Sequence, residues 1–265
     1  MAKPTIGIIG GTGWLGSAIA RSMLKAGFLE PSQLILSSRS TAHGLTGWPD
    51  VTCTADNQEL AARADVIILS VRPDQFSAVE IDARGKLVIS VMAGVPITTL
   101  AERTNSDRIV RAMPNAAAEI GKSYTPWFAS DGAEVEDKEL VRRLFETCGS
   151  TDEVFREADI DYLTALTGSG PAFPALLAQA MIGHALDKGL PRDIATRAAT
   201  AVVAGASQLL GVHYVSPEET VRAFLDYRGT TAAGLQGMID GGFIAAVGAG
   251  LDAAEAAATA MSRTG

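Results

Sequence analysis

A short apolar run, Thr5-Ile6-Gly7-Ile8-Ile9, leads straight into Gly10-Gly11-Thr12-Gly13-Trp14-Leu15-Gly16, and a helical pattern follows at once. Gly11-x-Gly13-x-x-Gly16 between a strand and a helix is the dinucleotide-binding arrangement. The glycines permit a tight turn and a close approach of backbone to a pyrophosphate. The free N–H groups of the helix start then meet the negative charge. A chain that opens this way calls for more strands parallel to the first, each returned by a helix.

The first half fits that demand. Strands are predicted at Ile6–Ile9, Gln33–Ser37, Val66–Val71, Leu87–Val91, Arg108–Ala112, Tyr124–Phe128 and Asp152–Phe155. The runs at 66–71 and 87–91 are β-branched and continuous, as in sheets buried on both faces. Helices are predicted at Leu15–Ala26, Asn57–Arg63, Asp74–Val79 and Glu134–Cys148. After about residue 158 the strand signal stops. Phe173–Lys188, Asp193–Leu210, Pro217–Phe224, Ala232–Met238 and Phe243–Ser262 all read as helices. The fold class is therefore α/β: an N-terminal Rossmann-type open sheet over residues 1–157, then an all-helical domain over 158–265. The second part is rich in alanine and glycine. Such faces let helices approach closely but bury little apolar area alone, so they are expected to pack against a second subunit.

With 265 residues, burying a core is no difficulty. The net charge of -8 argues against nucleic acid and anionic membranes. His43, His184 and His213 share no ligand spacing, and Cys53 and Cys148 form no CxxC pair. No metal site is expected, and both thiols are read as buried. No signal sequence and no bilayer-spanning run is read, so the expected compartment is the cytoplasm.

An acidic residue about twenty positions past the glycines would select NAD through the adenosine ribose. Here the second strand ends Leu36-Ser37-Ser38-Arg39-Ser40, with hydroxyls and a guanidinium instead. Arginine suits a phosphate dianion, so NADP(H) is expected ahead of NAD(H). Further segments are punctuated beyond what a generic nucleotide fold needs. Val71-Arg72-Pro73, Ala93-Gly94 and Met113-Pro114-Asn115 fall at strand ends, where open α/β sheets bind ligands. The amide of Asn115 is a candidate for a ribose or nicotinamide bond. Gly168-Ser169-Gly170-Pro171 starts the helical half. Thr230 and Thr231 stand at the mouth of another helix, where free N–H groups can hold a carboxylate.

The set formed by Met113-Pro114-Asn115, Gly168-Ser169-Gly170-Pro171-Ala172 and Gly229-Thr230-Thr231-Ala232-Ala233-Gly234 resembles the pyrroline-5-carboxylate reductase family over nearly the whole chain. The resemblance implies an NADPH- or NADH-dependent enzyme that makes proline by reducing a cyclic imine. It also implies a helical domain interleaved in a homodimer or higher homo-oligomer. Cofactor contacts then fall on Gly11, Gly13, Trp14 and Leu15, on Ser38, Arg39 and Asn57, and on Val71, Arg72 and Pro73. They continue at Ala93 and Gly94 and at Met113, Pro114 and Asn115. Substrate contacts fall on Ser169 and on a loop that includes Arg228, Gly229, Thr230 and Thr231, with Thr231 beside the imine.

Two places depart from the family pattern. Trp14-Leu15 stands where Asn-Met is usual. Asp226-Tyr227-Arg228-Gly229 stands where Ser-Pro-Gly-Gly is usual. Asp226 would repel a substrate carboxylate and Arg228 attract one. The alternatives are a cyclic-imine reductase of altered preference and a catalytically silent NADP-binding protein. A β-hydroxyacid dehydrogenase of similar plan would need a lysine early in the helical half. Residues 158–173 contain none, and Lys188 lies at the far end of a long helix.

Overall fold

The computed structural model describes residues 4–38, 45–212 and 216–264. Contacts divide the chain into two compact units. One runs to Ser169 and takes in the residues from Ala254 onward; the other is Gly170–Ala253.

The first unit is built on one sheet. Its strands are β1 Ile6–Ile9, β2 Leu34–Ser37, β3 Thr52–Thr54, β4 Val66–Leu69, β5 Leu87–Ser90, β6 Ile109–Ala112, β7 Ser123–Ala129 and β8 Gly149–Glu153. The spatial order is β3-β2-β1-β4-β5-β6-β7-β8. Every pairing is parallel except β6 with β7. The helices of this unit are α1 Trp14–Lys25, α2 Asn57–Arg63, α3 Ile97–Thr104, α4 Val135–Glu146 and α5 Glu157–Leu163.

The apolar strands serve two cores at once, one on each face. Val66 and Ile68 join Ile6, Ile8, Leu34 and Leu36 on the face that packs α1 and α4. Ile67 and Leu69 join Ile9, Ile35 and Val88 on the face that packs α2 and α3. Each such side chain, once buried, contributes about 1.5–3 kcal/mol. The end of α2 is held by Lys86, whose Nζ donates to the carbonyls of Ala61 at 2.5 Å and Ala64 at 2.6 Å. A cation there meets the unpaired carbonyls of a helix C-terminus.

The second unit is helical: α6 Ala172–Asp187, α7 Arg192–Thr200, α8 Leu209–Val212, α9 Pro217–Asp226, α10 Thr230–Asp240 and the start of α11 Phe243–Thr264. Ser216 opens α9 with a capping box: its Oγ accepts from Glu219 N at 3.1 Å.

Several sequence expectations need correction. The segment 193–210 is not one helix. It breaks into α7, a π-helical turn at Ala201–Ala206 and α8, with Val202, Val203 and Gly205, poorer helix formers than their alanine neighbours, inside the turn. The 74–79 segment is a 3-10 stretch, Pro73–Ala78. The last strand is β8, Gly149–Glu153, and Phe155 lies beyond it, 95% exposed. Strand β3 and helices α3 and α5 add to the elements expected from the sequence. Cys148 is buried, and burial pushes its thiol pKa up, but Cys53 is exposed. Finally, Phe243–Met261 of α11 is long and apolar enough by length and composition to cross a bilayer, contrary to expectation. It carries Asp252 and Glu255.

Candidate active site

The turn after β1 is closed by backbone. Gly10 N and Gly11 N both donate to Ser37 O, at 3.0 and 3.1 Å, and Gly13 N donates to Gly10 O at 2.9 Å. Gly10 has φ +79°, and a Cβ there would stand 2.4 Å from Ser70 O. A Cβ on Gly16 would stand 2.7 Å from Gly10 O, and one on Gly11 2.9 Å from Ile8 O. Side chains at these positions would fill the cradle or force it open. Gly13 caps α1 without any side-chain bond, and the first turn of α1 carries no acidic residue. The N–H groups of Trp14 and Leu15, in the first turn, have no intrahelical partner, an arrangement that suits a pyrophosphate. The residues present suit a dinucleotide.

Trp14 and Leu15 differ in what their side chains do. Leu15 packs against the core, so only its backbone is available to a ligand. Trp14 is 64% exposed, and its Nε1 donates to Glu119 Oε1. That bond ties the glycine turn to the 3-10 segment Ala116–Ile120, just past Asn115.

At the end of β2, Ser38 N donates to Thr54 O at 3.2 Å. Buried Ser37 donates through Oγ to Asn57 Oδ1 at 2.6 Å, which fixes Asn57 at the start of α2. The nearby carboxylates are already engaged: Asp56 accepts from Gln58 N and Glu59 N as the cap of α2, and Glu59 accepts from Thr54 Oγ1 and Arg63. Arg39 lies outside the described residues.

The remaining expected cofactor residues follow neighbouring parallel strands. Val71, Arg72 and Pro73 follow β4, Ala93 and Gly94 follow β5, and Met113, Pro114 and Asn115 follow β6. They share one edge of the sheet with the glycine turn. Gly94 has φ +68° and is buried. The side chain of Asn115 already makes two bonds. Its Oδ1 accepts from Ala117 N at 2.9 Å and its Nδ2 donates to Thr167 O at 3.0 Å. The amide is fixed in place, with one N–H left over for a ligand. Ser169 ends the π-helical turn Thr164–Gly168, its N–H donating to Thr164 O at 3.0 Å.

In the second unit, Gly229 caps α10 with no side-chain bond and no acid in the first turn. Thr230 and Thr231 are exposed at that helix start. Free N–H groups in this position suit a carboxylate. Arg228 just before them has φ +57°, the left-handed region that favours glycine. Tyr227 is 83% exposed, yet its ring lies close enough to Gly229 that a Cβ there would be 3.2 Å from its Cδ1.

Two groups of residues escaped the sequence reading. Glu119 holds Trp14. Buried Arg111 pairs with the partly buried carboxylates of Glu157 and Asp161. The signal for the second was visible: one arginine in the middle of an otherwise apolar strand.

Fold and glycine turn together define a Rossmann-type dinucleotide-binding protein with a helical second half. Residues 157–261 match the family model described as pyrroline-5-carboxylate reductase dimerisation. Residues 5–94 match the model for NADP oxidoreductase, coenzyme F420-dependent. The pyrroline-5-carboxylate reductase of Glycine max is 30% identical over 252 residues, covering 90% of this chain and 89% of the relative. The solved structure of a Coxiella burnetii pyrroline-5-carboxylate reductase superposes with a TM-score of 0.88 at 28% identity, over 98% of this chain and 99% of that one. A Plasmodium falciparum pyrroline carboxylate reductase with NADP bound gives 0.84 at 25% identity, over 99% of both chains. The chain belongs to the pyrroline-5-carboxylate reductase family.

Proposed function

We propose that this protein reduces 1-pyrroline-5-carboxylate to proline with NADPH, as residues 1–157 bind the dinucleotide and residues 158–265 serve substrate binding and dimerisation. The observation that carries the reading is the uncapped start of α1 over a glycine cradle with no room for side chains. Family membership supplies the substrate class. When bound, the cofactor supplies a hydride to the imine carbon. Gly11, Gly13 and the N–H groups of Trp14 and Leu15 hold the pyrophosphate. Ser38, Arg39 and Asn57 hold the phosphorylated ribose. The loops 71–73, 93–94 and 113–115 hold the nicotinamide half. The start of α10 at Gly229 and Thr230 holds the substrate carboxylate with the help of Arg228 and Ser169. Thr231 hydrogen-bonds the imine nitrogen. A protonated iminium is already electrophilic, so the chain's work is alignment and exclusion of water rather than acid–base catalysis.

A homodimer is part of the proposal. Helices α6, α9 and α10 have no buried residue, and only 6% of the apolar span of α11 is buried. Apolar faces of that extent need a partner, and a second copy satisfies them. The cytoplasm is the compartment that suits an acidic enzyme of this chemistry.

The second reading, altered substrate preference, is favoured by one observation. A left-handed Arg228 beside an exposed Tyr227 puts two large side chains at the mouth of α10. The deciding experiment follows NADPH oxidation with five- and six-membered cyclic imino acids. Turnover greatest with pyrroline-5-carboxylate supports the first reading, and a six-membered preference supports the second. No turnover on any of them would leave a silent NADP-binding protein. Thr231→Ala should lower kcat with NADPH affinity unchanged.

A further inference from the structure

Arg111 sits within β6 with its side chain only 2% exposed. Its Nη1 donates to Glu157 Oε1 at 2.8 Å and its Nη2 to Asp161 Oδ1 at 2.9 Å. Its Nε is buried without a partner. An orphaned buried donor is destabilising, and pairing a buried guanidinium with two partly buried carboxylates does not reliably offset it. Stability alone is a poor reason for this cluster.

The bonding around it supplies a better one. Glu157 Oε1 also accepts from Ile97 N at 2.8 Å. Ile97 is the first residue of α3, directly after the loop that contains Ala93 and Gly94. Arg111 itself stands two residues before Met113 on the other loop. Both carboxylates belong to α5, which runs on into the π-helical turn whose Thr167 O receives Asn115 Nδ2. One guanidinium and one carboxylate oxygen thus hold the loops after β5 and β6 to the same helix.

We propose that Arg111, Glu157 and Asp161 are positioning residues for the nicotinamide half of the cofactor site, fixing loops 92–96 and 113–115 relative to each other. The inference rests on the dinucleotide reading above. In that reading the adenosine half lies on the β2 side of the glycine turn, away from this cluster.

The test compares two ligands on purified full-length protein by calorimetry: NADPH and 2′,5′-ADP, which lacks the nicotinamide half. In Arg111→Met/Glu157→Gln/Asp161→Asn the charges are removed together, and the glutamine amide oxygen can still accept from Ile97 N. NADPH affinity should fall by about 10-fold while 2′,5′-ADP affinity stays within about two-fold. Arg111→Lys, which retains the charge but not the fork, should recover part of the NADPH loss. Parallel weakening of both ligands would assign the cluster a general structural role, and an unchanged NADPH affinity would remove it from the site altogether. If the triple variant does not fold, Arg111→Lys and Glu157→Gln are judged by the same ratio. Wild-type protein that bound neither ligand would overturn the dinucleotide reading itself.

Discussion

In the sheet, Ile6, Ile8, Leu34, Ile67 and Ile68 show no exposed surface, while in the helical unit Leu176 is 65% exposed, Val202 52% and Phe224 49%. Both regions are apolar, so composition does not separate them. The sheet has layers to bury against: α1 and α4 on one face, α2 and α3 on the other. The helices α6, α9 and α10 bury none of their own residues. One region completes its core within the chain and can hold a rigid ligand cradle. The other presents faces that gain from a second surface. A change in the first region should therefore be felt as strain, and a change in the second as an effect on assembly.

The largest expected effect tests the first half of that contrast. Gly10→Ala would put a methyl 2.4 Å from Ser70 O at φ +79°. Left-handed strain and a backbone clash together cost about 2–4 kcal/mol. Calorimetric NADPH binding should be lost and the thermal midpoint should drop. A variant that bound NADPH normally would show that the cradle is looser than its geometry implies.

Next comes Arg39→Ala, the proposed contact to the ribose phosphate. A charged contact to a phosphate contributes about 1.5–3 kcal/mol. NADPH binding should weaken by that amount and NADH binding should not, because only NADPH carries the phosphate. Equal losses would mean that Arg39 acts on the loop and not on the cofactor.

How far the residues announce this contrast depends on the element. Strand β4 is Ile, Leu and Val throughout and β1, β2 and β5 are mostly so, and a run buried on both faces reads as strand without help. Strand β3 is Thr52-Cys53-Thr54, three residues at the edge with little burial, and nothing apolar marks it. Helix α3 reads Ile-Thr-Thr-Leu-Ala-Glu-Arg-Thr, a poor helix former by propensity. It is held by tertiary bonds, with Leu100 fully buried and Ile97 N capped by Glu157 from 60 residues away. A similar separation in sequence hides the bracing role of Arg111, whose partners lie 46 and 50 residues further on. The glycine turn was legible because backbone geometry alone demands glycine there. The left-handed state of Arg228 was not, since its cost is invisible until the turn is built.

Arg228→Gly measures that cost directly. A non-glycine residue in the left-handed region costs about 1–2 kcal/mol, so the variant should unfold at higher temperature. Its effect on catalysis separates the two substrate readings. A raised KM for pyrroline-5-carboxylate would mean that the guanidinium pairs with the acid. A lowered KM would mean that it obstructs the pocket.

The smallest expected effect decides whether the helical faces are free or covered. Gly250 is exposed in α11, and a Cβ there would meet nothing within 4 Å in a single chain. On a free helix, Gly250→Ala would stabilise by about 0.8–1 kcal/mol through propensity alone. Against a closely packed partner helix the added methyl has to find room, so the gain should vanish or reverse. Thermal unfolding across a dilution series, with light scattering for mass, distinguishes the cases. A dimer gives a midpoint that rises with concentration and a Gly250→Ala change that is neutral or destabilising. A monomeric mass at micromolar concentration, together with the full propensity gain, would mean that these helices have no partner and that the contrast between the two halves is not one of assembly.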